Sequence, residues 1–158
     1  MSTMMTTVPS QENPSLISVS SNYIAPSDPS LPALALQITS LVDSYMIWVG
    51  ATNQPPESVQ NAARSGSLCR DWACAMPAAP GNVGFGPATS LFRSASSDVT
   101  FSMAQRLARR FHRQIFLSVD VPVTLISTPR GSSLLFDAEK GIVAALKSLE
   151  GERGQEAQ

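Results

Sequence analysis

Two short segments of the sequence carry bulky apolar side chains on both sides of an extended backbone. They span residues 45–49 and 114–119. Successive side chains of a strand project to opposite faces of a sheet, and a sheet that is apolar on both faces is buried on both. One face of these strands is filled by aliphatic residues, and the other face carries three large side chains: Met46, Trp48 and Phe116.

Two amphipathic helices are predicted to cover one of the two faces. The first runs from Ser97 or Asp98, either of which can cap it, to Phe111, with apolar residues spaced at i, i+3, i+4 and i+7. The second is predicted to begin after Asp137 and to end near Leu149. A chain of 158 residues is too short to form a third layer over the other face. We therefore expect the second face to pack against another protein, with the two sheets about 10 Å apart.

The remaining pattern predicts short strands and long loops in the order of an α+β domain. Strands are expected at residues 16–20, 33–41, 68–76, 88–93 and 133–136, with residues 33–41 and 45–49 forming a hairpin. Residues 52–67 and 77–87 predict loops, and residues 121–127 extend a strand or form another one. We expect one domain at residues 14–150 with an antiparallel sheet of about six strands and two main helices on one face. Residues 1–13 and 151–158 are expected to be disordered tails.

The first helix carries a stripe of four arginines opposite its apolar face: Arg106, Arg109, Arg110 and Arg113. Residues 98–113 hold one aspartate besides these arginines and have a charge of +3, whereas the rest of the chain carries −4. No glutamate at i, i+4 balances the stripe. Two interpretations stay open, a solvated helix face and a docking surface for an acidic partner.

Several chemistries have no counterpart in the sequence. His112 is the single histidine, and Cys69 and Cys74 are the only thiols, so no histidine cluster can hold a metal. The sequence shows no phosphate loop and no nucleophile–base pair. We expect a protein that is not an enzyme and needs no cofactor. Two thiols and the lack of a signal peptide or a membrane-spanning run predict a soluble intracellular protein, in the cytoplasm and alternatively also in the nucleus.

Four segments, taken in order, resemble the proteasome assembly chaperone 4 family, in a fungal-like form with an extended N-terminus and longer loops. They read YMIWVGAT at residues 45–52, ATSLF at 88–92, AQRLARR at 104–110 and QIFLS at 114–118. The resemblance extends over about residues 36–149, and the first and third segments are its most specific parts. It implies a non-enzymatic chaperone that pairs through its sheet with proteasome assembly chaperone 3. The pair would bind α-type subunits while the α-ring of the 20S proteasome forms, and would leave before the particle matures.

On this resemblance, the three large side chains of the second face become candidates for the partner interface, and the four arginines become candidates for docking an α-type subunit. Two other functions compete with it. One is a sheet-to-sheet scaffold or adaptor subunit of another intracellular complex. The other is nucleic-acid binding through the arginine helix, which an isoelectric point near 5.7 and only two lysines disfavour, so we expect neither nucleic acid nor membrane as a partner.

Overall fold

The structure is a computed structural model that describes residues 17–94 and 98–156. Its strands are β1 (Ser18–Ile24), β2 (Ala33–Ser40), β3 (Ser44–Thr52), β4 (Asp71–Ala75), β5 (Ala88–Arg93) and β6 (Gln114–Asp120). A 3-10 helix, η1 (Pro56–Asn61), precedes the helices α1 (Ala62–Ser65), α2 (Val99–Phe111), α3 (Val123–Ile126) and α4 (Gly131–Glu156). The predicted tail at residues 1–13 lies outside the described residues.

The six strands form one sheet in the order β1-β2-β3-β6-β4-β5. Four of the five neighbouring pairs are antiparallel, and the central pair of β3 and β6 is parallel. The predicted α+β class with about six strands is confirmed, and the sheet is mixed where the sequence had suggested an antiparallel one. A parallel pair needs a long crossover connection, which β4, β5 and α2 supply between β3 and β6.

The main core lies between the sheet and the two long helices, both of which cover the same face. The buried strand residues on this face include Leu36, Ile38, Ile47, Val49, Leu117 and Val119. Met103, Leu107 and Phe111 pack onto them from α2, and Leu134, Ile142 and Leu146 from α4. Full burial of one such side chain contributes about 1.5–3 kcal/mol to folding, so this layer holds the two helices on the sheet.

Helix α2 has the predicted span and runs directly into β6. Asp98 occupies the N-cap position without a side-chain capping hydrogen bond, and the other predicted cap, Ser97, lies outside the described residues. It ends at Phe111, where His112 adopts the left-handed conformation with φ 51° and ψ 37°. This residue reverses the chain so that β6 begins at Gln114, beside β3. The link between helix and strand therefore spans only two residues.

Helix α4 is longer than predicted at both ends. The strand predicted at residues 133–136 is wrong, because these residues form the first turns of the helix, with Leu134 and Ala138 buried one turn apart. A short apolar run fits a strand and a buried helix equally well. The helix also continues through residues 151–156, which were predicted to belong to a disordered tail. Arg153 of this segment donates a hydrogen bond to the carbonyl oxygen of Leu41 at 3.2 Å, which holds the end of the helix on the sheet.

Two connections predicted without helices contain short ones. Residues 52–67, predicted as a mobile loop, include η1 and α1, which pack on the sheet face opposite α2 and α4. Residues 121–127, predicted to extend a strand or form another, turn at Pro122 into α3. Proline lacks the N–H that a sheet ladder needs, and it fits the start of a helix.

Candidate partner interface

The structure places Met46, Trp48 and Phe116 on one face of the sheet, the face away from α2 and α4. Met46 and Phe116 are direct neighbours across the parallel pair β3–β6. Trp48 lies two residues along β3 from Met46, so its side chain points in the same direction. The three residues thus share the face that the alternation predicted.

Trp48 is nevertheless covered by its own chain. Its side chain is only 6% exposed and packs with Ala35 of β2 and Ala62 of α1, with Val59 and Ala63 against the same cluster. The prediction that Trp48 contacts a partner fails for this arrangement, because η1 and α1 already fill the space above it. Those short helices gave no clear signal in a polar segment that contains two consecutive prolines.

Glycines let this cover approach closely. A Cβ atom at Gly66, just after α1, would lie 2.4 Å from the indole ring of Trp48, and one at Gly50 of β3 would lie equally close to it. The segment after α1 is then tied to β6, since Asp120 accepts hydrogen bonds from the backbone N–H of Ser67 and from Nε of Arg70, the latter at 2.7 Å. The cover is therefore part of the folded domain.

The other half of the same face is much less covered. We call it the open face, and it consists of Met46, Trp72, Cys74, Phe92 and Phe116. The strand register makes these residues a continuous strip, because Cys74 of β4 pairs with Phe116 and Trp72 pairs with Phe92. Four of the five are half-buried, and Phe92 on the edge strand β5 is 53% exposed. Aromatic side chains gathered in this way are typical of the centre of a protein–protein interface.

Sequence reasoning missed the contribution of β4 and β5 to this strip. The signal that could have revealed this contribution is the alternation in β4, where Trp72 and Cys74 alternate with two alanines. The pairing of β4 with β6, which brings Trp72 and Cys74 beside Phe116, joins residues about 40 positions apart and leaves no mark on local periodicity. The indole N–H of Trp72 is buried and has no hydrogen-bond acceptor among the described residues.

Two of the four stripe arginines are neutralised within the chain. Arg106 forms a two-pronged ion pair with Glu139 of α4, at 2.8 and 2.7 Å. Arg113 contacts Glu150 of α4 at 3.3 Å and Asp43 of the β2–β3 turn at 3.4 Å. The charge imbalance seen in residues 98–113 is thus largely balanced in space, by acidic residues that are distant in the sequence.

The other two arginines have no acidic partner among residues 17–94 and 98–155. Arg109 lies over the ring of Phe85, 5.4 Å from the ring centre to the guanidinium carbon, and Arg110 is exposed. In the structure the outer arginines of the stripe, Arg106 and Arg113, are thus paired, and the two between them are not. Of these two, Arg109 faces the β4–β5 connection.

Other kinds of site find little support in the described part of the chain. No three side chains of histidine, cysteine, aspartate or glutamate there lie close enough together to hold a metal ion. Among the same residues, no helix has the length and apolarity needed to cross a membrane. The features that remain are the open face and the free arginines, and both fit contacts with other proteins.

These features define a class of protein, a small α+β domain whose sheet leaves one half of a face largely uncovered. The family model for proteasome assembly chaperone 4 matches residues 33–121, which include the residues of the open face and all four arginines. The chain belongs to this family of proteasome assembly chaperones.

A solved structure of the same type supports the fold. A chain in the crystal structure of "a novel chaperone complex for yeast 20S proteasome assembly" superposes with a TM-score of 0.55. The match covers 87% of this chain and 98% of the yeast chain, at 19% sequence identity. The sequence has no significant match among curated proteins.

Proposed function

We propose that the protein is a non-catalytic chaperone that helps the α-ring of the 20S proteasome to assemble. In this proposal it forms a heterodimer with proteasome assembly chaperone 3, binds α-type subunits and leaves before the particle matures. It acts in the cytoplasm and also in the nucleus. The observation that carries the proposal is the open face, because it is a continuous apolar strip in a member of this family.

The open face supplies the kind of surface that a sheet-to-sheet partner needs. Burial of a half-exposed aromatic side chain at the centre of an interface contributes about 1–3 kcal/mol. Phe92 and Phe116 would provide this gain, while Trp72 and Met46 complete a flat strip around them. Because α1 covers Trp48, the partner sheet would sit over β6, β4 and β5 and beside α1.

The arginines of α2 would face an α-type subunit from the opposite side of the domain. Arg106 and Arg113 already form ion pairs with Glu139 and Glu150. In this proposal Arg109 and Arg110 therefore provide the electrostatic attraction to the α-type subunit. Such charges speed encounter and fix orientation more than they add affinity. The same pairing weakens the alternative of a nucleic-acid-binding helix, since two of its four cations are already neutralised.

The test is co-purification from cells that express the chain with chaperone 3 and α-type subunits. The wild type is expected to bring down both. Phe92→Asp places a charge on the open face at an exposed edge strand, and we expect it to lower recovery of chaperone 3 by on the order of tenfold or more. Phe136→Asp is the matched control, because Phe136 is 66% exposed on α4, in the helix layer.

Equal recovery of chaperone 3 by the wild type and by Phe92→Asp would place the interface elsewhere. Recovery of a different set of proteins by the wild type would favour a scaffold or adaptor subunit of another complex. Trp48→Glu is unsuitable for this experiment, because the buried indole is part of the fold.

A further inference from the structure

We propose that the cleft between the β4–β5 connection and the end of α2 binds a carboxylate of a partner protein, on a segment where an acidic residue lies next to an apolar one. This inference rests on the proposed function, in which an α-type subunit would supply the segment. The inference goes further than the proposed function in two ways, since it specifies which part of the arginine stripe binds the subunit and which chemical group is bound there.

The cleft is formed by a connection that is held in shape by its own backbone. The backbone N–H of Met76 donates to the carbonyl oxygen of Pro87 at 2.9 Å, which closes the base of the connection. The N–H of Asn82 donates to the carbonyl oxygen of Ala79 at 3.0 Å, which forms a turn near its tip. A cleft of about 490 Å³ lies between residues 78–84 of the connection and two residues on the other side, Arg109 of α2 and His112 just after the helix. This volume accommodates one or two side chains.

Arg109 supplies the positive charge of the cleft and is held in place for binding. Its guanidinium group lies over the ring of Phe85, a cation–π contact that fixes its orientation without using its N–H donors. Among the described residues it takes part in no ion pair, in contrast to Arg106 and Arg113. A guanidinium group presents donors in a fork that matches the two oxygens of a carboxylate.

The described part of the chain places no acidic residue of its own in this cleft. No aspartate or glutamate occurs in residues 72–97. The two acidic residues that flank this stretch are engaged elsewhere, Asp71 with Ser94 and Asp98 with Arg93. No carboxylate among the described side chains complements Arg109, so in this proposal it comes from another molecule.

The rim of the cleft explains why the acidic residue should have an apolar neighbour. Val83 is 82% exposed and Phe85 is 51% exposed, both in the connection that lines the cleft. Apolar side chains packed around an ion pair exclude water and strengthen it. Nucleic acid bases bind mainly by stacking on aromatic rings, but Arg109 already covers one face of Phe85. The more exposed Val83 offers an aliphatic surface, which suits an apolar side chain of a peptide better than a base.

The experiment uses the full chain and fluorescence anisotropy. The probe is a fluorescein-labelled peptide in which glutamate alternates with leucine, and the control peptide has glutamine in place of each glutamate. We expect the wild type to prefer the glutamate peptide and Arg109→Gln to weaken that binding by about tenfold or more. Arg64→Gln is the matched control, because Arg64 is an exposed arginine on α1, on the other side of the sheet. It is expected to bind as the wild type does.

Equal binding of the two peptides by the wild type would overturn the inference, and so would unchanged binding by Arg109→Gln. Tighter binding of a single-stranded oligonucleotide of the same net charge, lost in the same variant, would overturn it in favour of phosphate recognition. Val83→Ser should weaken the glutamate peptide without changing the charge of the cleft, and no effect would also count against the site. None of these outcomes depends on recovery of chaperone 3, so a failed proposed function and a failed binding site can be told apart.

Discussion

At the scale of single residues, His112 determines how helix and strand are joined. It is the one residue other than glycine with a positive φ among residues 17–94 and 98–156. Histidine, asparagine and aspartate tolerate this conformation better than other side chains, and branched residues tolerate it least. Because α2 carries the free arginines and β6 carries Phe116, this single backbone conformation fixes the relative position of two candidate contact surfaces.

His112→Val is therefore expected to destabilise the fold. A β-branched side chain in the left-handed region should lower the free energy of unfolding by about 1–2 kcal/mol, measured by urea denaturation. His112→Asn is the control and should remain within about 0.5 kcal/mol of the wild type. Equal stability of the valine variant and the wild type would mean that the backbone at this position is free to relax.

At the scale of elements, Tyr45 joins three parts of the fold. It is the second residue of β3, and its hydroxyl donates to Glu150 of α4 at 3.4 Å. Its ring lies beneath the guanidinium groups of Arg113, next to the end of α2, and Arg153 of α4. Burial raises the pKa of Tyr45 above its ordinary value, and the nearby charge of Glu150 raises it further, while the two arginines act in the opposite direction.

This raised pKa predicts a loss of stability in alkaline solution. Above about pH 10 the phenol of the unfolded chain loses its proton, while the folded phenol keeps it, so the free energy of unfolding falls as the pH rises. Tyr45→Phe removes this contribution. Between about pH 8 and about pH 11, the wild type should therefore lose more stability in urea denaturation than Tyr45→Phe. Equal losses in the two proteins would show that Tyr45 has the same pKa in the folded and unfolded chain.

The elements also differ in how far the sequence predicts them. The helix α2 and the strands β2, β3 and β6 follow from local periodicity, because each buries a regular stripe of apolar residues. The start of α4 does not, since a short apolar run has no decisive period. The cover over Trp48 could not be predicted, because its alanines and polar residues form no apolar stripe of their own. Their packing partner, Trp48 of β3, is known only from the tertiary structure.

At the scale of the whole molecule, the two faces of the sheet differ in how they are completed. The chain covers one face with two long helices and half of the other with α1 and η1. The prediction that another protein covers the second face does not apply to Trp48, which its own chain buries, and for the open face it stays a prediction. The predicted role of Met46 and Phe116 in a partner interface remains a proposal.

The pairing of charges also depends on how the whole chain folds. Which arginines are free could not be inferred from the sequence, because Glu139 and Glu150 of α4 pair with Arg106 and Arg113, which lie 33 and 37 positions away. Local counting found an unbalanced stripe, and the three-dimensional packing leaves unpaired only its two middle cations, Arg109 and Arg110. The candidate docking surface is accordingly smaller than the sequence suggested.

The most direct test of the open face is the reactivity of Cys74, which lies beside Phe116 at the centre of the strip. Iodoacetamide alkylation of this thiol can be followed by mass spectrometry in the free chain and in its complex with chaperone 3. If the open face is the partner surface, alkylation of Cys74 should slow by about tenfold or more in the complex. When the Phe92→Asp variant replaces the wild-type chain in the mixture with chaperone 3, its Cys74 should be alkylated at the rate of the free chain. An unchanged rate for the wild-type chain within an intact complex would contradict the account.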